Sequence, residues 1–434
     1  MSNLLDKASI ILTPTAYNNG EALCVKPSDG SGDFDFSRAT EATRVNSQGL
    51  VETIGINLPR INYEGFSYDG SGNVVPDSGC GSWLWEPQST NLITQSELFS
   101  DAYWSKTLMT ATDNSTISPS GNVNASLIQE EIYTNSIPNI KNNSSITSLN
   151  GNNTLSFYVK NNSGRYLGVS FGSNAQRIIT NFDFDTETFK TPIFNGTTTG
   201  SVSFDKLGDY YRILITANFP ISINPQIFIT PLATDTYPFY AFQNSDNRSF
   251  YLWGAQVEQQ SYATSYIPTE GSTVTRNQDV CTNGGSLASI NSTSGTLYAE
   301  IAVLSADNIN RYLSLSNGTD DNSISFHFRN NANNQIRVIL KSGNVNQFDS
   351  TYNPFGSTDF AKVAFKYKVN DFALWVNGIE IATDTSGITF PIDTLNRLSF
   401  DDGNGASKFF GKTKALAVWK EALSDQELAE LTTI

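Results

Sequence analysis

The sequence has very few of the residues from which metal centres and nucleophilic active sites are usually built. Its 434 residues include one histidine and three cysteines, which are Cys24, Cys80 and Cys281. The cysteines are far apart and form no CxxC pair, so the sequence predicts neither a zinc site nor a disulfide framework. We expect buried free thiols, and the one pairing worth testing is Cys24 with Cys80.

Charge is also scarce, and most of it has one sign. Only 16% of the residues are charged, and 27 Lys and Arg against 42 Asp and Glu give a formal net charge of −15. This negative balance repels phosphate backbones and anionic lipids, so we expect no nucleic-acid partner and no membrane surface as partner. A surface made mainly of Asn, Ser, Thr and Gly suits contact with protein or sugar instead.

Long apolar runs are missing too. No stretch approaches the ~20 apolar residues that a membrane span requires. The first twenty residues, MSNLLDKASIILTPTAYNNG, lack the apolar core of a secretory leader. We therefore expect no membrane insertion, no cleaved leader and synthesis in a cytoplasm.

The sequence is instead rich in aromatic residues and in short alternating patterns. Aromatic residues make up 12% of the chain. Apolar and polar residues alternate at 155–159, 211–215, 324–328, 336–340 and 363–367. Such alternation predicts strands, and the intervening Gly, Asn, Asp and Ser turns are typical of sandwiches and jelly rolls.

Two local patterns predict specific structures. Asn377-Gly378 separates two apolar runs, and this dipeptide favours a type I′ hairpin because both residues tolerate positive φ. Ser424 and Glu427 form a capping box, which predicts a short C-terminal helix with Leu428 and Leu431 on its apolar face. A helix this short must pack against the last sandwich to be stable.

These patterns together predict an all-β chain. We expect two tandem antiparallel β-sandwich (jelly-roll) modules, preceded by an irregular, turn-rich N-terminal region and followed by the short helix. The predicted divisions are residues 1–95 for docking and assembly, 96–276 for the first jelly roll and 277–434 for the second.

Two stretches near the C-terminus resemble a known family. Residues 415–428 read ALAVWKEALSDQEL, and residues 374–380 read LWVNGIE. They are similar to the closing strand and helix, and to a hairpin, of concanavalin A-like sandwiches of the laminin-G and pentraxin type. The resemblance covers residues 290–434 and implies a jelly roll there.

A second resemblance extends over the first two thirds of the chain. It is carried, in order, by FSRATEATRVNSQGL at 36–50, PRINY at 59–63, LWEPQSTNL at 84–92, GAQVE at 254–258, TSYIPT at 264–269 and VTR at 274–276. These stretches are similar to bacteriophage head-fibre and tail-fibre structural proteins. The resemblance implies a protein on the virion surface, with a carbohydrate-binding-like middle module and no catalytic residues.

The same resemblance implies the partners. We expect other virion proteins of the capsid or tail, the chain itself as a dimer or trimer, and host surface polysaccharide as the attachment target.

Physically, Arg38, Arg44 and Arg60 lie near acidic residues of the N-terminal region, and we expect ion pairs there to stabilise its geometry. Residues 265–268 are expected to tie the end of the middle module to its start.

Catalytic chemistry has few candidates, and we predict that the chain is not an enzyme. His327 stands between Phe326 and Phe328 in an alternating strand, so we expect it to point away from the core into solvent. Asp183, Asp185 and Glu187 have the spacing of acids on one strand face, which a glycosidase could use. The same residues also suit a polar hairpin turn, and we favour the turn.

Binding residues can be proposed only from their types. Calcium is the one cofactor alternative, with Asp320, Asp321, Asp401 and Asp402 as candidate ligands in Asp/Asn/Gly clusters that more often are plain turns. Glycan contacts would come from aromatic rings with amides nearby, and the candidates are Trp375, Asn377, Tyr103 and Trp104.

Two other functions remain open alongside a fibre that attaches to host glycans. A polysaccharide depolymerase of the tail predicts a pair of acids that converge in a cleft. A lectin-like adhesin of a cell surface predicts a leader or an anchor. Release of reducing ends from host capsule would distinguish the first alternative, and a glycan array tests the binding activity itself.

Overall fold

A computed structural model describes residues 2–16, 21–71, 74–143, 146, 148–238, 242–244, 247–305, 307, 309–329, 335–353 and 358–434. Nearly all of its regular structure is antiparallel strand, and two β-sandwiches contain most of it. The predicted all-β class with a short C-terminal helix is therefore confirmed.

The middle sandwich buries its apolar side chains between two sheets. Large residues such as Phe157, Phe171 and Ile229 are fully buried there. One sheet contains, in spatial order, Trp104–Thr107, Asn139–Asn142, Gln226–Leu232, Tyr166–Gly172, Arg177–Asp183 and Thr188–Phe189, with Ile193–Asn195 also paired to Arg177–Asp183. The other contains Met109–Ile117, Val123–Glu130, Ser249–Glu258, Leu149–Ser163, Tyr210–Ile223 and Thr199–Leu207.

The C-terminal sandwich is built in the same way. Its larger sheet, which we call the helix-side sheet, contains Ile379–Asp384, Phe372–Val376, Ala361–Lys368, Ser294–Val303, Gly411–Trp419, Ser82–Trp85 and Arg60–Asn62 in spatial order, with Ile10–Leu12 also paired to Gly411–Trp419. Its smaller sheet, which we call the outer sheet, contains Val345–Tyr352, Gln335–Ser342, Ser323–Arg329, Arg311–Ser316 and Arg397–Ser399.

Strands from the N-terminal region complete the helix-side sheet. Ser82–Trp85 pairs with the strand at 411–419, and Arg60–Asn62 pairs with Ser82–Trp85 in turn. Trp83 and Trp85 stack with ring centroids 5.9 Å apart and lie in the core of the C-terminal sandwich. The domain boundary at residue 95 stays a prediction. The sequence did not indicate that residues before this boundary share a core with the C-terminal sandwich.

Smaller two-stranded sheets lie outside the four large sheets of the sandwiches. They are Asp35–Ser37 with Val280–Thr282, Ser89–Asn91 with Val274–Arg276, Ala42–Val45 with Val51–Ile54, Phe66–Tyr68 with Val74–Pro76, and Tyr133–Ser136 with Phe242–Asn244. The first two connect residues about 185 or more positions apart in the sequence. They bring the N-terminal region to the boundary between the sandwiches.

Both local predictions hold. Val376 pairs with Ile379 across the hairpin, and Asn377 and Gly378 have φ values of 50° and 79°. The helix Asp425–Thr432 starts at Ser424, whose hydroxyl accepts from the Glu427 backbone N–H in a complete capping box.

The C-terminal helix packs on the helix-side sheet together with a second helix that the sequence did not predict. Leu428 and Leu431 are buried against Trp419 and Leu423. The N-terminal helix Ser2–Lys7 joins the same cluster, because the indole N–H of Trp419 donates to the Leu4 carbonyl over 2.9 Å. A 3₁₀ turn at Pro14–Ala16 follows. None of the helices in the described residues is long and apolar enough to cross a membrane.

Three arginines meet two acids at a buried junction between the sandwiches. Arg38 and Arg60 both bind the Asp279 carboxylate, at 3.0 and 2.6 Å, and Arg60 also lies 2.8 Å from Glu86. Arg276 pairs with the same Glu86. We call these five residues the junction, and each of them is almost completely buried.

The junction corrects the expectation for the N-terminal arginines. Arg44 does pair locally, with Glu52 at 2.6 Å. The main carboxylate partner of Arg38, however, is Asp279, which lies 241 positions away in the sequence. Burial by itself raises the pKa of Glu86, but Arg276 and Arg60 outweigh that effect and lower this pKa to about 2.

The cysteines are free, as expected, but the expected burial holds for only two of the three. Cys24 and Cys281 are buried, whereas Cys80 is exposed. Cys24 therefore has no disulfide to Cys80 in this structure, and its thiol donates to the Gly32 carbonyl over 3.0 Å. Burial raises the pKa of the Cys24 thiol to about 12, so it is protonated and unreactive at neutral pH.

The middle module is tied to its own start, as its closing motif predicts. The Tyr266 hydroxyl lies 2.6 Å from the Ser96 hydroxyl, and the Asn91 amide donates to the Ile267 carbonyl over 2.9 Å.

Candidate functional site

Polar and aromatic side chains form a row across the outer sheet, on the face that points away from the core. Tyr312, His327, Arg337 and Thr351 stand opposite one another on four neighbouring strands. The neighbours of the first three residues on the core side, Leu313, Phe326, Ile336 and Val338, point the other way and are fully buried. Strict alternation along each strand thus separates a core face from a polar outer face.

Tyr312 and His327 contact each other closely within this row. Their ring centroids are 4.0 Å apart, with the ring planes inclined at 53°. His327 Nε2 also lies 2.8 Å from the hydroxyl of Ser325, two residues earlier on the same strand. The expectation that His327 points away from the core holds, but its exposure to solvent was overestimated. Only 8% of the residue is accessible, because its neighbours on the face enclose it.

Arg337 and Asp349 extend the row with a fork-to-fork ion pair. Arg337 Nε donates to one carboxylate oxygen of Asp349 over 2.6 Å, and Nη2 donates to the other. This pairing raises the pKa of Arg337 and lowers that of Asp349, so both stay charged at neutral pH. Both side chains remain partly exposed, so their outer atoms are accessible from solvent.

The two sheets of this sandwich differ in what covers them. Both helices pack on the helix-side sheet, whose outward residues Ala364 and Ala373 are buried beneath them. On the outer sheet, three small residues, Ser314, Ser325 and Ser399, lie side by side next to the row. These serines are almost completely buried, so Tyr312, Arg337 and Thr351 supply the accessible surface here, and we call the row the outer face.

The glycan candidates taken from residue types lie elsewhere. Tyr103 and Trp104 are buried in the core of the middle sandwich, so neither presents a ring face to a sugar. Trp375 is half-buried beside the C-terminal helix. The Asn377 side chain accepts from the Lys362 backbone N–H over 2.9 Å, which stabilises the hairpin. The structure does not bring these four residues together.

The calcium candidates lie on two loops, which approach each other at Thr319 and Gly403. Asp320 lies 3.1 Å from the ammonium of Lys341. Asp401 accepts from the Gly403 backbone N–H, and Asp402 accepts from that of Ala406, as turn-forming aspartates do. Among the described residues, no three His, Cys, Asp or Glu side chains are close enough to hold a metal ion. Calcium binding at these positions stays a prediction.

The three acids considered for glycosidase chemistry lie at a hairpin turn. Asp183 forms a two-pronged ion pair with Arg165, at 2.9 and 2.7 Å, which lowers the pKa of this carboxyl to about 2. Glu187, at positive φ, pairs with Lys206 and lies 2.9 Å from the Tyr211 hydroxyl. A general acid needs a raised pKa, and Asp183 and Glu187 have lowered ones.

Sequence reasoning missed the outer face as a unit. The available signal was the polar position that alternates with buried residues in each of three consecutive strands, at 312, 327 and 337. Only the pairing register shows that these positions stand opposite one another, and the register depends on contacts that no single strand contains.

Comparison with known proteins supports the fold of this part of the chain. Residues 274–429 match the family model of the concanavalin A-like lectin/glucanases superfamily. The resemblance noted for residues 290–434 is thus confirmed, and the C-terminal sandwich is similar to concanavalin A-like domains. No curated protein matches the chain.

Several solved structures share similarity over part of the chain. One is the CBM40 of the IT-sialidase of Ruminococcus gnavus, with 21% identity, 35% of this chain and 93% of that one covered, and a TM-score of 0.29. Another is domain 4 of a GH43 extracellular arabinanase from Geobacillus stearothermophilus in complex with arabinotriose, with 12% identity, coverage of 39% and 82%, and a TM-score of 0.29. A sialidase of Trypanosoma rangeli matches at 9% identity over 71% of this chain and 60% of that one, with a TM-score of 0.28.

Proposed function

We propose that this chain is a non-catalytic glycan-binding protein and that the outer face of its C-terminal sandwich contacts the sugar. The observation that carries the proposal is the row of Tyr312, His327 and Arg337 on the outer face of a sandwich that matches the concanavalin A-like family model. The row combines an aromatic ring with charged and neutral hydrogen-bonding groups, which is the mixture that orients a small polar ligand.

Each part of the outer face has a role in this binding. The accessible part of the Tyr312 ring offers an apolar contact to the C–H groups of a sugar ring, and its hydroxyl can donate or accept. Arg337 and Asp349 fix each other, so a donor and an acceptor are held in position before the ligand arrives. Preorganisation of this kind reduces the entropy that binding costs.

Mutation of Tyr312 tests this assignment. On a glycan array, the full chain is expected to bind a defined set of glycans, and Tyr312→Ala to lower that affinity by about tenfold or more. Tyr237→Ala is the matched control, since Tyr237 is another half-buried surface tyrosine, in contact with Lys190 on the middle sandwich. Equal binding by wild type and Tyr312→Ala would overturn the assignment.

We further propose that the chain is a virion surface protein, a head or tail fibre or spike that attaches to host glycans. Its partners would be capsid or tail proteins and further copies of itself. The support is the series of stretches that resemble phage fibre proteins. Residues from five of those stretches, Thr43, Arg60, Glu86, Ser265 and Arg276, meet at the junction.

Location and catalysis can be tested separately. Immunogold electron microscopy of purified particles should label the capsid or tail surface, whereas label confined to bacterial cells would favour the adhesin alternative.

Incubation with host capsule should release no reducing ends. Their release would contradict a binding-only role and favour the depolymerase alternative.

A further inference from the structure

A cavity of about 690 Å³ lies at the boundary between the two sandwiches, away from the outer face. Its walls come from three parts of the chain. The middle sandwich contributes residues around Asn152 and Gln260, the C-terminal sandwich contributes Arg311 and Phe410, and the connecting segment 87–92 closes one side. We call this cavity the inter-module cleft, and its volume falls within the range of small-molecule sites.

The charges in the cleft are satisfied within the protein. Arg311 binds Asp307 through two hydrogen bonds of 2.7 and 2.6 Å, and only 2% and 5% of these side chains are accessible. Tyr262 also lines the cleft, and burial raises the pKa of its hydroxyl, which keeps it neutral. No other Asp, Glu, Lys or Arg lines the described cleft. The cleft therefore offers no net charge to a ligand.

The other walls supply groups that match sugar hydroxyls. Gln88, Asn150, Asn152 and Gln259 are exposed, and each amide has both donors and an acceptor. A sugar hydroxyl likewise donates and accepts. The half-buried Phe410 adds an aromatic ring on which the apolar face of a sugar can lie.

The cleft is formed before any ligand arrives, because its connecting segment is tied to the middle sandwich. The Ser89 hydroxyl donates to the Glu258 carboxylate over 2.5 Å, and the Gln260 amide donates to the Gln88 carbonyl over 3.3 Å. The hydroxyls of Thr90 and Thr275 form a hydrogen bond of 2.8 Å. A preformed cleft loses little conformational entropy on binding.

We propose that the inter-module cleft is a second carbohydrate site and that it takes a neutral oligosaccharide. This inference rests on the proposed glycan-binding function and adds a site and a ligand class to it. Phe410 would hold the sugar by ring contact, and the exposed amides would bind its hydroxyls. Uronic or sialic acids would find no free cation in the cleft to neutralise them.

The test uses the full chain on an array that carries neutral oligosaccharides alongside sialylated and uronic-acid ones. Phe410→Ala is expected to lower affinity for the bound neutral glycans by about tenfold or more, and Gln259→Ala to lower it by a smaller factor. Phe360→Ala is the matched control, since Phe360 is a half-buried phenylalanine in contact with Lys414 outside the cleft. Unchanged binding by both cleft variants overturns the second site.

The same array separates this inference from the proposed function. Loss of all glycan binding in Tyr312→Ala, with full retention in Phe410→Ala, overturns the cleft and supports the outer face. Loss of neutral glycans in Phe410→Ala, with retention in Tyr312→Ala, supports the cleft. Absence of any bound glycan overturns both.

Discussion

The junction and the outer face contain the same kind of ion pair in opposite surroundings. At the junction, Arg60 and Glu86 are 0% and 3% accessible, and at the outer face Arg337 and Asp349 are 25% and 32% accessible. Both pairs join a guanidinium to a carboxylate at hydrogen-bonding distance. Burial alone therefore decides whether such a pair serves the stability of the fold or remains available to a ligand.

The physical reason is the cost of an unpaired charge. A charge left alone in a protein interior loses its hydration and gains nothing in return, so breaking a buried pair costs about 3–5 kcal/mol. An exposed charge recovers its hydration when its partner is removed, and such pairs contribute only about 0–1 kcal/mol.

The largest expected effect is from Glu86→Ala. This change leaves Arg60 and Arg276 buried beside each other without their shared carboxylate, and we expect the free energy of unfolding to fall by about 3–5 kcal/mol. Denaturant titration measures the loss. Asp349→Ala, which removes a carboxylate from an exposed pair, is the matched control. If Glu86→Ala lowered the free energy of unfolding by less than about 1 kcal/mol, the buried pair of the junction would be no more stabilising than the exposed pair of the outer face.

Acid should weaken the junction. The pKa of Glu86 is about 2 in the folded chain and near 4.3 when unfolded, so the unfolded chain binds more protons between these values. The contribution of Glu86 is therefore fully present above about pH 5, and about 3 kcal/mol is lost as the pH falls towards 2. Denaturant titrations at several pH values measure this slope. Glu86→Gln should flatten it, and an equal slope in both proteins would contradict the assignment.

The sequence predicted the features that depend on local rules. Alternation marked the strands, and the Asn377-Gly378 turn and the Ser424 cap form as expected because each is set by residues within a few positions. The arginines of the N-terminal motif were singled out correctly, but the partners of Arg38 and Arg60 were not identified. Their shared carboxylate, Asp279, lies more than two hundred positions away, and no periodicity indicates that contact.

The candidate site was harder to predict for a related reason. Aromatic type alone selected Tyr103 and Trp104, yet large aromatic rings supply most core area in thin sandwiches, and both are buried. Tyr312 and Arg337 are ordinary alternating polar residues within their own strands. They become a surface only when three strands pair in register.

The smallest expected change in stability is from Asp349→Asn. This variant keeps the shape of the side chain but removes its charge, so the bidentate pair with Arg337 is lost while both groups stay hydrated. We expect the free energy of unfolding to change by less than about 1 kcal/mol.

Binding should respond to the same variant much more strongly than stability. Without Asp349 to hold it, Arg337 must be ordered by the ligand itself, and we expect affinity for the bound glycans to fall by about three- to tenfold. Calorimetric titration with a glycan identified on the array measures this fall. Unchanged affinity would mean that the exposed pair serves no ligand, and a large loss of stability would mean that it behaves like the buried one. For the junction we expect the opposite. Glu86→Ala should lower stability strongly, and it should affect sugar binding only by disturbing the fold.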